Sequence, residues 1–496
     1  MTRILRRLGW CAVGFLALAL AVEAGCRLFL LYRNRLAPKP GAFELYALGG
    51  SAMAGTPYER GVSIPDIAAK LLNGTAGGLP IRVINLAAHG ETIYPQSFKL
   101  ERAVRYRDRS RPGAVFIYAG HNDAAFSRAP ASRLCRVFVP LKEAAEARSV
   151  ALSLLAFHGE RLRLLPVCRG EEVFERYMRR AVAASKDAGL TPVLSAEVSN
   201  MADIEPGLWL GGDTAVARRR LASLLDEGER LEREGRWSAA VGLYDAAADE
   251  FPTALAYLGY RIGKCRAGQG DYPAARRRFQ GAVDAVESDS FGRARSSQHA
   301  FLRDLAEASG TPRVDAAAIF ERHSPHGLLG DGLFADGHHP NLRGYALLAE
   351  GFSRALAAEH GFPEPGAAPR APELERWLSM DAERRVEALL SSGRWLFTVS
   401  VRHERPRTRL GLAEKRFREA VALSPGDRDA WLGLALVTAA RRSPAMLQEE
   451  GEISWLERRG LFYGARYRVP PDELPVLLSR LLERGVPREL LDRVGR

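Results

Sequence analysis

Five apolar runs of strand length alternate with amphipathic helical patterns over residues 43–360. The runs are FELYALGG (43–50), IRVINLAAHG (81–90), GAVFIYAGHND (113–123), TPVLSAEVSN (191–200) and TPRVDAAAIF (311–320). Helical patterns lie between and after them, in IPDIAAKLLNG, in EEVFERYMRRAVAASKDAG and, beyond Pro340, in NLRGYALLAEGFSRALAAEH. Because strands and helices alternate, we predict a layered α/β fold with a mostly parallel sheet.

A purely helical segment at about 212–290 interrupts this alternation and contains a repeat. GRWSAAVGLYDAAADEFP begins at Gly235 and GDYPAARRRFQGAVDAVE begins at Gly270. Glycine, an aromatic residue, alanine, a second aromatic residue and a second alanine recur with a period of 35 residues. Stacked antiparallel helix pairs need small residues where they cross, so the segment resembles tetratricopeptide repeats, which bind protein partners. Two copies are too few for a free-standing solenoid, and we expect them to pack on the rest of the chain.

The proline-rich segment GFPEPGAAPRAPE, residues 361–373, predicts a linker to a helical C-terminal region, 374–496. A weaker third repeat lies there, with Thr408 where the glycine is expected; it has Ala413, Phe417, Ala420 and Pro425. The predicted domain order is therefore an N-terminal segment (1–36), an α/β domain in two parts (43–205 and 292–360), the helical insertion (212–290) and the C-terminal region.

The N-terminal segment is apolar enough to cross a bilayer. MTRILRR precedes LGWCAVGFLALALAV, Glu23 and AGCRLFLLYRNR. We interpret residues 1–36 as an uncleaved signal anchor, with the α/β domain periplasmic or otherwise extracytoplasmic. The basic residues before the span favour a cytoplasmic N-terminus, whereas those after it weaken that orientation. A cleaved signal peptide is the alternative, and Glu23 argues against a lipoprotein signal at Cys26.

The charge and the cysteine content bear on nucleic-acid binding, disulfide bonding and metal binding. The net charge of +12 comes mostly from arginines spread over helical stretches, without a recognition motif for nucleic acid. We therefore expect a solvated arginine-rich surface, which would also suit an anionic membrane. Of the five cysteines, Cys135 and Cys168 are either a disulfide or two unrelated thiols. No cysteine and histidine spacing indicates zinc, and we expect no metal or cofactor.

Candidate catalytic residues follow the predicted strands. Ser51 lies in GGSAMAG, Gly90 ends NLAAHG, Asn122 lies in GHND, and Asp336 and His339 lie in DGHHPN. The carboxyl ends of parallel strands meet at one edge of a sheet, where α/β folds place their sites. We expect these four segments to converge there.

In their order, these segments resemble the four sequence blocks of the SGNH or GDSL hydrolase superfamily. The resemblance covers about 43–205 and 292–360, and it implies a flavodoxin-like, three-layer α/β/α domain with serine esterase or acylhydrolase activity. It implies that Ser51 is the nucleophile, His339 the general base and Asp336 the residue that orients the imidazole. It assigns the oxyanion hole to the backbone N–H groups of Ser51 and Gly90 and to the Asn122 amide. The first block departs from the family motif, because it reads GGSAMA instead of Gly-Asp-Ser-Leu.

Other roles for these residues stay open on the sequence. Gly90 and Asn122 could be turn residues, and Asp336 and Asn341 could cap the helix after Pro340, which would occupy its first turn. His338 is a second candidate base, His89 and His121 are expected to line the site at most, and Asp123 is interpreted as a structural hydrogen-bond acceptor. The leucines and Phe157 of the helical segment 139–165 could form a lid or an acyl pocket, or only pack as helices.

The substrate class also stays open. Water as the acceptor makes an esterase acting on an ester or on an acylated carbohydrate or lipid, whereas a sugar hydroxyl makes an O-acyltransferase of a cell-surface polysaccharide. A third hypothesis is a scaffold without catalysis, in which the repeats bind a protein. A dinucleotide or phosphate site at GGSAMAG is disfavoured, since neither Gly-x-Gly-x-x-Gly nor a P-loop lysine is present.

Overall fold

The computed structural model describes residues 2–36, 41–59, 61–124, 133–161, 170–208, 214–286, 291–464 and 466–495. Within these residues, five strands form one sheet in the order β2-β3-β1-β4-β5. The strands are β1 Phe43–Gly49, β2 Thr75–Ala76, β3 Leu79–Asn85, β4 Gly113–Ala119 and β5 Thr191–Ala196. β1, β3, β4 and β5 pair in parallel, and only the short β2 pairs antiparallel, with β3. The predicted α/β fold with a mostly parallel sheet is confirmed.

Helices make up most of the remaining described chain. Those of the N-terminal segment and the α/β domain are α1 Thr2–Leu31, α2 Ser51–Ala54, α3 Ile64–Leu71, α4 Ile93–Val104, α5 His121–Ala124, α6 Arg133–Arg148, α7 Val150–Arg161, α8 Glu171–Asp187, α13 Ser296–Ser309, α14 Ala316–His323 and α15 Leu342–His360. Those of the insertion are α9 Ala215–Arg233, α10 Trp237–Glu250, α11 Leu255–Gly268 and α12 Tyr272–Ala285. Those of the C-terminal region are α16 Glu373–Trp377, α17 Ala382–Thr398, α18 Arg407–Leu423, α19 Arg428–Arg442, α20 Glu450–Arg458, α21 Leu474–Glu483 and α22 Arg488–Gly495.

The sheet is buried on both faces. Along β4, Phe116 and Tyr118 belong to one apolar cluster, which includes residues of α3 and α15. The intervening Val115 and Ile117 belong to a second cluster, which includes residues of α4 and α8. Helices therefore cover each face, and a continuous apolar run in β4 is what such a central parallel strand requires.

The predicted fifth strand, 311–320, is wrong for most of its length. The N–H of Leu194, on β5, donates to the Pro312 carbonyl at 2.9 Å, and the Val314 N–H donates to the Leu194 carbonyl at 2.8 Å. Residues from Ala316 onward form α14, and the Asp315 carboxylate accepts a hydrogen bond from the Ala318 N–H at 3.0 Å. An aspartate at this position caps a helix, and the three alanines after it favour that helix over a strand.

The helical insertion shows its 35-residue period in the packing. A side chain at Gly228 would overlap the ring of Tyr244, and one at Gly263 would overlap the ring of Phe279. In the C-terminal region the Phe417 ring similarly lies against Gly393 and Gly433. At these four positions a glycine therefore lies against an aromatic ring of a neighbouring helix. Assignment of the segment to tetratricopeptide repeats stays a prediction.

The insertion contacts both neighbouring parts of the chain. The Tyr260 hydroxyl donates to the carbonyl of Ala202 at 3.1 Å, next to the α/β domain. The guanidinium groups of Arg405 and Arg407, in the C-terminal region, bind the buried carboxylate of Glu229. The predicted linker 361–373 is also attached, because the Gly366 N–H donates to the Leu71 carbonyl at 3.0 Å.

The N-terminal helix ends on the α/β domain. Residues Val13–Arg35 are long and apolar enough to cross a membrane, by length and composition. Near the end of this stretch, just after α1, the buried Asn34 amide donates to the carbonyls of Arg102 and Arg105 at 3.1 and 2.8 Å. Two predictions fall partly outside the described residues. Cys135 is disulfide-bonded, and Cys168, its predicted partner, is not among the described residues. Residues 209–213 and 287–290, at the ends of the predicted insertion, are not described either.

Candidate active site

Ser51 begins the short helix α2 directly beyond β1. Gly49 and Gly50 precede it, and both positions are too close to other groups for a side chain. A Cβ at Gly49 would meet the carbonyl oxygen of Tyr118, and one at Gly50 would meet the side-chain nitrogen of Asn122. The two glycines therefore allow the chain to turn sharply and to bring Ser51 close to the end of β4.

A chain of hydrogen bonds joins the three predicted triad residues. The Ser51 Oγ lies 2.7 Å from His339 Nε2, and His339 Nδ1 lies 2.7 Å from Asp336 Oδ2. The other carboxylate oxygen of Asp336 accepts the backbone N–H groups of His338 and His339 at 3.1 and 2.9 Å. With a proton on Nδ1, the imidazole donates to Asp336 and accepts from the Ser51 hydroxyl.

Asp336 is an ionised carboxylate in this arrangement. Its burial alone would raise the pKa of the carboxyl, but the charge and hydrogen bonds of His339 outweigh that effect and lower the pKa below its ordinary value. Three hydrogen bonds from the loop around it satisfy the buried group. The ionised form can orient the imidazole and stabilise an imidazolium.

The loop that carries His339 is fixed at both ends. The Ala335 N–H donates to the His339 carbonyl at 2.8 Å, and Asn341 caps α15 by accepting the Gly344 N–H at 3.0 Å. Pro340 therefore precedes the cap and does not occupy the first turn of the helix, contrary to the prediction. Asn341 is the N-cap and Asp336 is not, because the Asp336 oxygens are taken by the loop and the imidazole.

The two further oxyanion candidates lie on neighbouring loops. The Asn122 amide lies against Gly50 and donates to the carbonyl of Glu91 at 2.9 Å. Gly90 has φ of +70°, which favours glycine, and lies in the loop after β3. That loop contacts the serine turn, since the Ala88 N–H donates to the Gly49 carbonyl at 3.3 Å. Strands β3, β1 and β4 thus bring the predicted segments to one edge.

The other polar candidates, Asp123, His89 and His338, make contacts outside the hydrogen-bond chain of Ser51, His339 and Asp336. Asp123 accepts the Ile93 N–H at the start of α4, as predicted. His89 is exposed and lies 3.2 Å from the Thr56 hydroxyl. His338 is buried, and its Nδ1 lies 3.0 Å from the Gly292 carbonyl. Burial, followed by the neighbouring His339, lowers the pKa of His338 to about 3, so its imidazole is neutral.

His121 is buried and does not line an open site. Its ring stacks on His338 with centroids 4.5 Å apart, and its Nε2 lies 3.1 Å from the Ser199 hydroxyl. Burial lowers the pKa of His121 and raises that of the adjacent Glu197 to about 8. Both groups are therefore uncharged near neutral pH, and they form a packed layer behind the triad.

Sequence reasoning missed the contribution of the C-terminal region. Trp395, on α17, places its ring edge-on to His339 with centroids 5.8 Å apart. Arg416, on α18, donates to the carbonyls of Phe334 and Ala335 at 3.2 and 2.8 Å. These residues support the histidine loop from outside the α/β domain. Trp395 lies in no motif, and Arg416 lies within the weak third repeat but at none of its repeated positions, so no signal in the sequence marks them.

Replacing Glu197 with glutamine should change how stability depends on pH. The pKa of this carboxyl is 4.5 in the unfolded chain and about 8 in the folded chain. At a pH between these two values, the carboxyl is therefore protonated in the folded chain and ionised in the unfolded chain. The wild-type protein therefore loses stability as pH rises through this window, and glutamine has no proton to lose. We expect the melting temperature of Glu197→Gln, relative to wild type, to rise between about pH 5 and pH 8.

The matched control is Glu364→Gln, because that side chain is 76% exposed. It should show the same difference from wild type at every pH. A constant difference for Glu197→Gln as well would mean that this carboxyl is ionised in the folded protein.

No protein-family model and no curated protein sequence matches the chain. Among solved structures, it is similar to a member of the lipolytic protein G-D-S-L family from Veillonella parvula, with 13% identity, a TM-score of 0.29 and coverage of 64% of this chain and 97% of that chain. It is also similar to a GDSL-like lipase from Bacteroides thetaiotaomicron, with 14% identity, a TM-score of 0.29 and coverage of 64% and 88%. Both are named for the group whose sequence blocks this chain resembles, and the chemistry proposed below rests on the residues of this chain.

Proposed function

We propose that this protein is a serine-dependent hydrolase of ester bonds, of the SGNH or GDSL type, which forms an acyl-enzyme on Ser51. The observation that carries the proposal is the hydrogen-bond chain from Ser51 through His339 to Asp336, with 2.7 Å at both steps. A serine hydroxyl is a weak nucleophile at neutral pH, and an adjacent base held by a third group activates it. The buried, ionised Asp336 is that third group.

The reaction proceeds in two halves. The Ser51 Oγ attacks the ester carbonyl carbon while its proton moves to His339 Nε2, and the C–O bond breaks as His339 returns the proton to the departing alcohol. Water then attacks the acyl group on Ser51 and gives its proton to His339. The Oγ–C bond breaks as His339 returns that proton to the Ser51 Oγ, and the carboxylic acid leaves. Asp336 stays ionised and balances the positive imidazolium in each half.

The negative charge on the carbonyl oxygen needs donors that are already in place. We assign these to the backbone N–H of Ser51, the backbone N–H of Gly90 and the amide of Asn122. The position of the Asn122 amide beside Gly50, one residue before the nucleophile, supports its part in this site. Donors fixed before the reaction stabilise the developing charge without a cost of reorganisation.

Replacing Asn122 with alanine should lower kcat by about two to three orders of magnitude, because one oxyanion donor is removed. KM should change little, since the charge develops only in the transition state. Steady-state kinetics with p-nitrophenyl acetate would measure both. Asn73→Ala is the matched control, because Asn73 lies in the turn between α3 and β2, and β2 pairs with the amino end of β3, opposite the end that leads to Gly90. Equal losses in the two variants would contradict the assignment.

We further propose that α1 is retained as a membrane anchor. Cleavage near Ala24 or Gly25 would remove Glu23, whose carboxylate accepts the N–H groups of Val150 and Ala151 at 3.0 and 2.9 Å. If α1 is retained, Glu23 can hold the start of α7 in the mature protein. A signal peptide that is cleaved and discarded could not make this contact. The catalytic domain would then lie outside the cytoplasm, as the basic residues before the span favour.

The test is hydrolysis of p-nitrophenyl esters by the detergent-purified full chain, with acyl groups from acetyl upward, alongside labelling by a fluorophosphonate. Turnover with labelling at Ser51 is the expected result, and the chain-length profile would describe the acyl pocket. Absence of both turnover and labelling in a folded preparation would contradict the proposal.

A further inference from the structure

Two helices outside the anchor expose a concentration of large apolar side chains. Among the described residues, ten exposed large apolar side chains lie on α1 and the residue after it, and five lie on α6 and α7. The five are Leu134, Val137, Leu141, Leu152 and Leu155. Only five others are exposed in the rest of the described chain, scattered singly or in pairs. We call α6 and α7 together the helical hairpin.

The exposed side chains of α6 form one stripe. Leu134, Val137 and Leu141 follow each other at spacings of three and four residues, so they share one face of the helix. The opposite face is packed on the α/β domain through Cys135, Val139 and Lys142, with the Lys142 ammonium 3.6 Å from the centre of the Phe98 ring. The inner face of α6 therefore packs on the α/β domain, whereas the apolar outer face is exposed.

The hairpin is attached to the anchor within the predicted membrane span. Glu23 lies inside the span Val13–Arg35, and its carboxylate accepts the Ser149 hydroxyl at 2.7 Å as well as two N–H groups at the start of α7. Arg27 completes the contact, because it pairs with Glu23 at 2.6 Å and donates to the Arg148 carbonyl at 2.9 Å. The junction of α6 and α7 therefore lies at the level of residues 23–27, near the middle of the span.

These contacts explain an acidic residue in an apolar helix. A carboxylate facing lipid is costly, whereas one that caps a helix and pairs with arginine is satisfied inside the protein. The position of Glu23 also sets the depth of the hairpin. A segment held at that depth meets lipid on the side that faces away from the anchor and the domain.

We propose that the outer face of the hairpin is inserted into the lipid bilayer beside the anchor, so that the hydrolase domain rests on the membrane surface. The occupant of the apolar stripe is lipid acyl chain, because Glu23 and Arg27 of the span hold the end of α6 and the start of α7. The exposed Arg136, on the same helix, suits the phosphate groups of the lipid headgroups, because its long side chain can reach them. This inference rests on the proposed membrane anchor and is independent of the proposed ester chemistry.

Nitroxide labels on single cysteines test this placement in the full chain, reconstituted into phosphatidylcholine and phosphatidylglycerol vesicles. The background is Cys11→Ser and Cys26→Ser, since both thiols are free, while Cys265 is free but buried. The three labelled variants are Leu141→Cys on the hairpin, Leu18→Cys on the anchor and Val216→Cys on the insertion. They are matched, because these side chains are 65%, 63% and 67% exposed.

Oxygen concentrates in the bilayer and a nickel chelate stays in water, so their collision rates with the nitroxide report depth. We expect the oxygen-to-nickel ratio at residue 141 to be several-fold higher than at residue 216 and of the same order as at residue 18. A ratio at 141 equal to that at 216 would overturn the proposal. So would shielding of residue 141 from both reagents, because it would mean that a protein surface covers the stripe.

The two membrane proposals fail in different ways. If residue 18 reports lipid and residue 141 reports water, the anchor stands and the hairpin insertion is wrong. If both report water, the anchor itself is wrong. Neither result depends on turnover at Ser51, and circular dichroism of each labelled variant would verify that it is folded.

Discussion

The Ser51→Ala variant is expected to lose ester hydrolysis, with kcat/KM lower by at least about a thousandfold. The hydroxyl that lies 2.7 Å from His339 Nε2 is the only part of the side chain that the substitution removes. Without it no acyl-enzyme forms, and labelling by a fluorophosphonate should disappear as well. The melting temperature should stay close to that of wild type, since alanine suits the first turn of α2.

Ser199→Ala is a matched control for this variant. The Ser199 hydroxyl also lies within hydrogen-bond distance of a histidine nitrogen, 3.1 Å from His121 Nε2, but the pair is buried behind the triad. We expect Ser199→Ala to hydrolyse and label like wild type. Full activity in Ser51→Ala, or loss of labelling only in Ser199→Ala, would show that the nucleophile has been misassigned.

The second large effect is expected from Asp336→Asn, with a fall in kcat of about three to four orders of magnitude. The amide has nearly the shape of the carboxylate, and its oxygen can still accept the N–H groups of His338 and His339. Its NH2 group, however, would face His339 Nδ1, which then cannot carry a proton. The imidazole would turn its protonated nitrogen toward Ser51 and could not act as the base.

Kinetics of the Asp336→Asn variant at several pH values, with its melting temperature, would measure this effect. His338→Gln is the control, because it removes the neighbouring imidazole and leaves the triad intact. We expect His338→Gln to keep kcat within about tenfold of wild type, as for a group that packs against the reacting residues without joining them. A larger loss in His338→Gln than in Asp336→Asn would favour His338 as the base.

The residues of the candidate site could be predicted from the sequence because each of them lies within a short segment with a recognisable pattern. Ser51, Gly90 and Asn122 each follow an apolar run, and Asp336 and His339 stand three residues apart before a helix. Parallel strands bring such segments to one edge whatever the length of chain between them. This is why four blocks spread over almost 300 residues indicated a candidate site whose parts the structure places together.

Other features depend on competition between local preferences. The run 311–320 has the apolar content of a strand, but the cap at Asp315 and the alanines after it stabilise α14 instead. Pro340 is suited to a first helical turn, but Asn341 takes the cap one residue later. In both places two structures were compatible with the residues, and packing against β5 and the histidine loop selected one.

The sequence by itself determined the alternation of strands and helices, the apolar N-terminal span and the order of the four candidate segments, because periodicity and turn residues act over a few neighbouring positions. Only the tertiary structure decided that Trp395 and Arg416 support the His339 loop, that His121 and Glu197 lie uncharged behind it, and that Glu23 joins α1 to α7. Those contacts connect residues far apart in the chain through burial and hydrogen bonding. Such pairings depend on how whole helices dock, which no local pattern encodes.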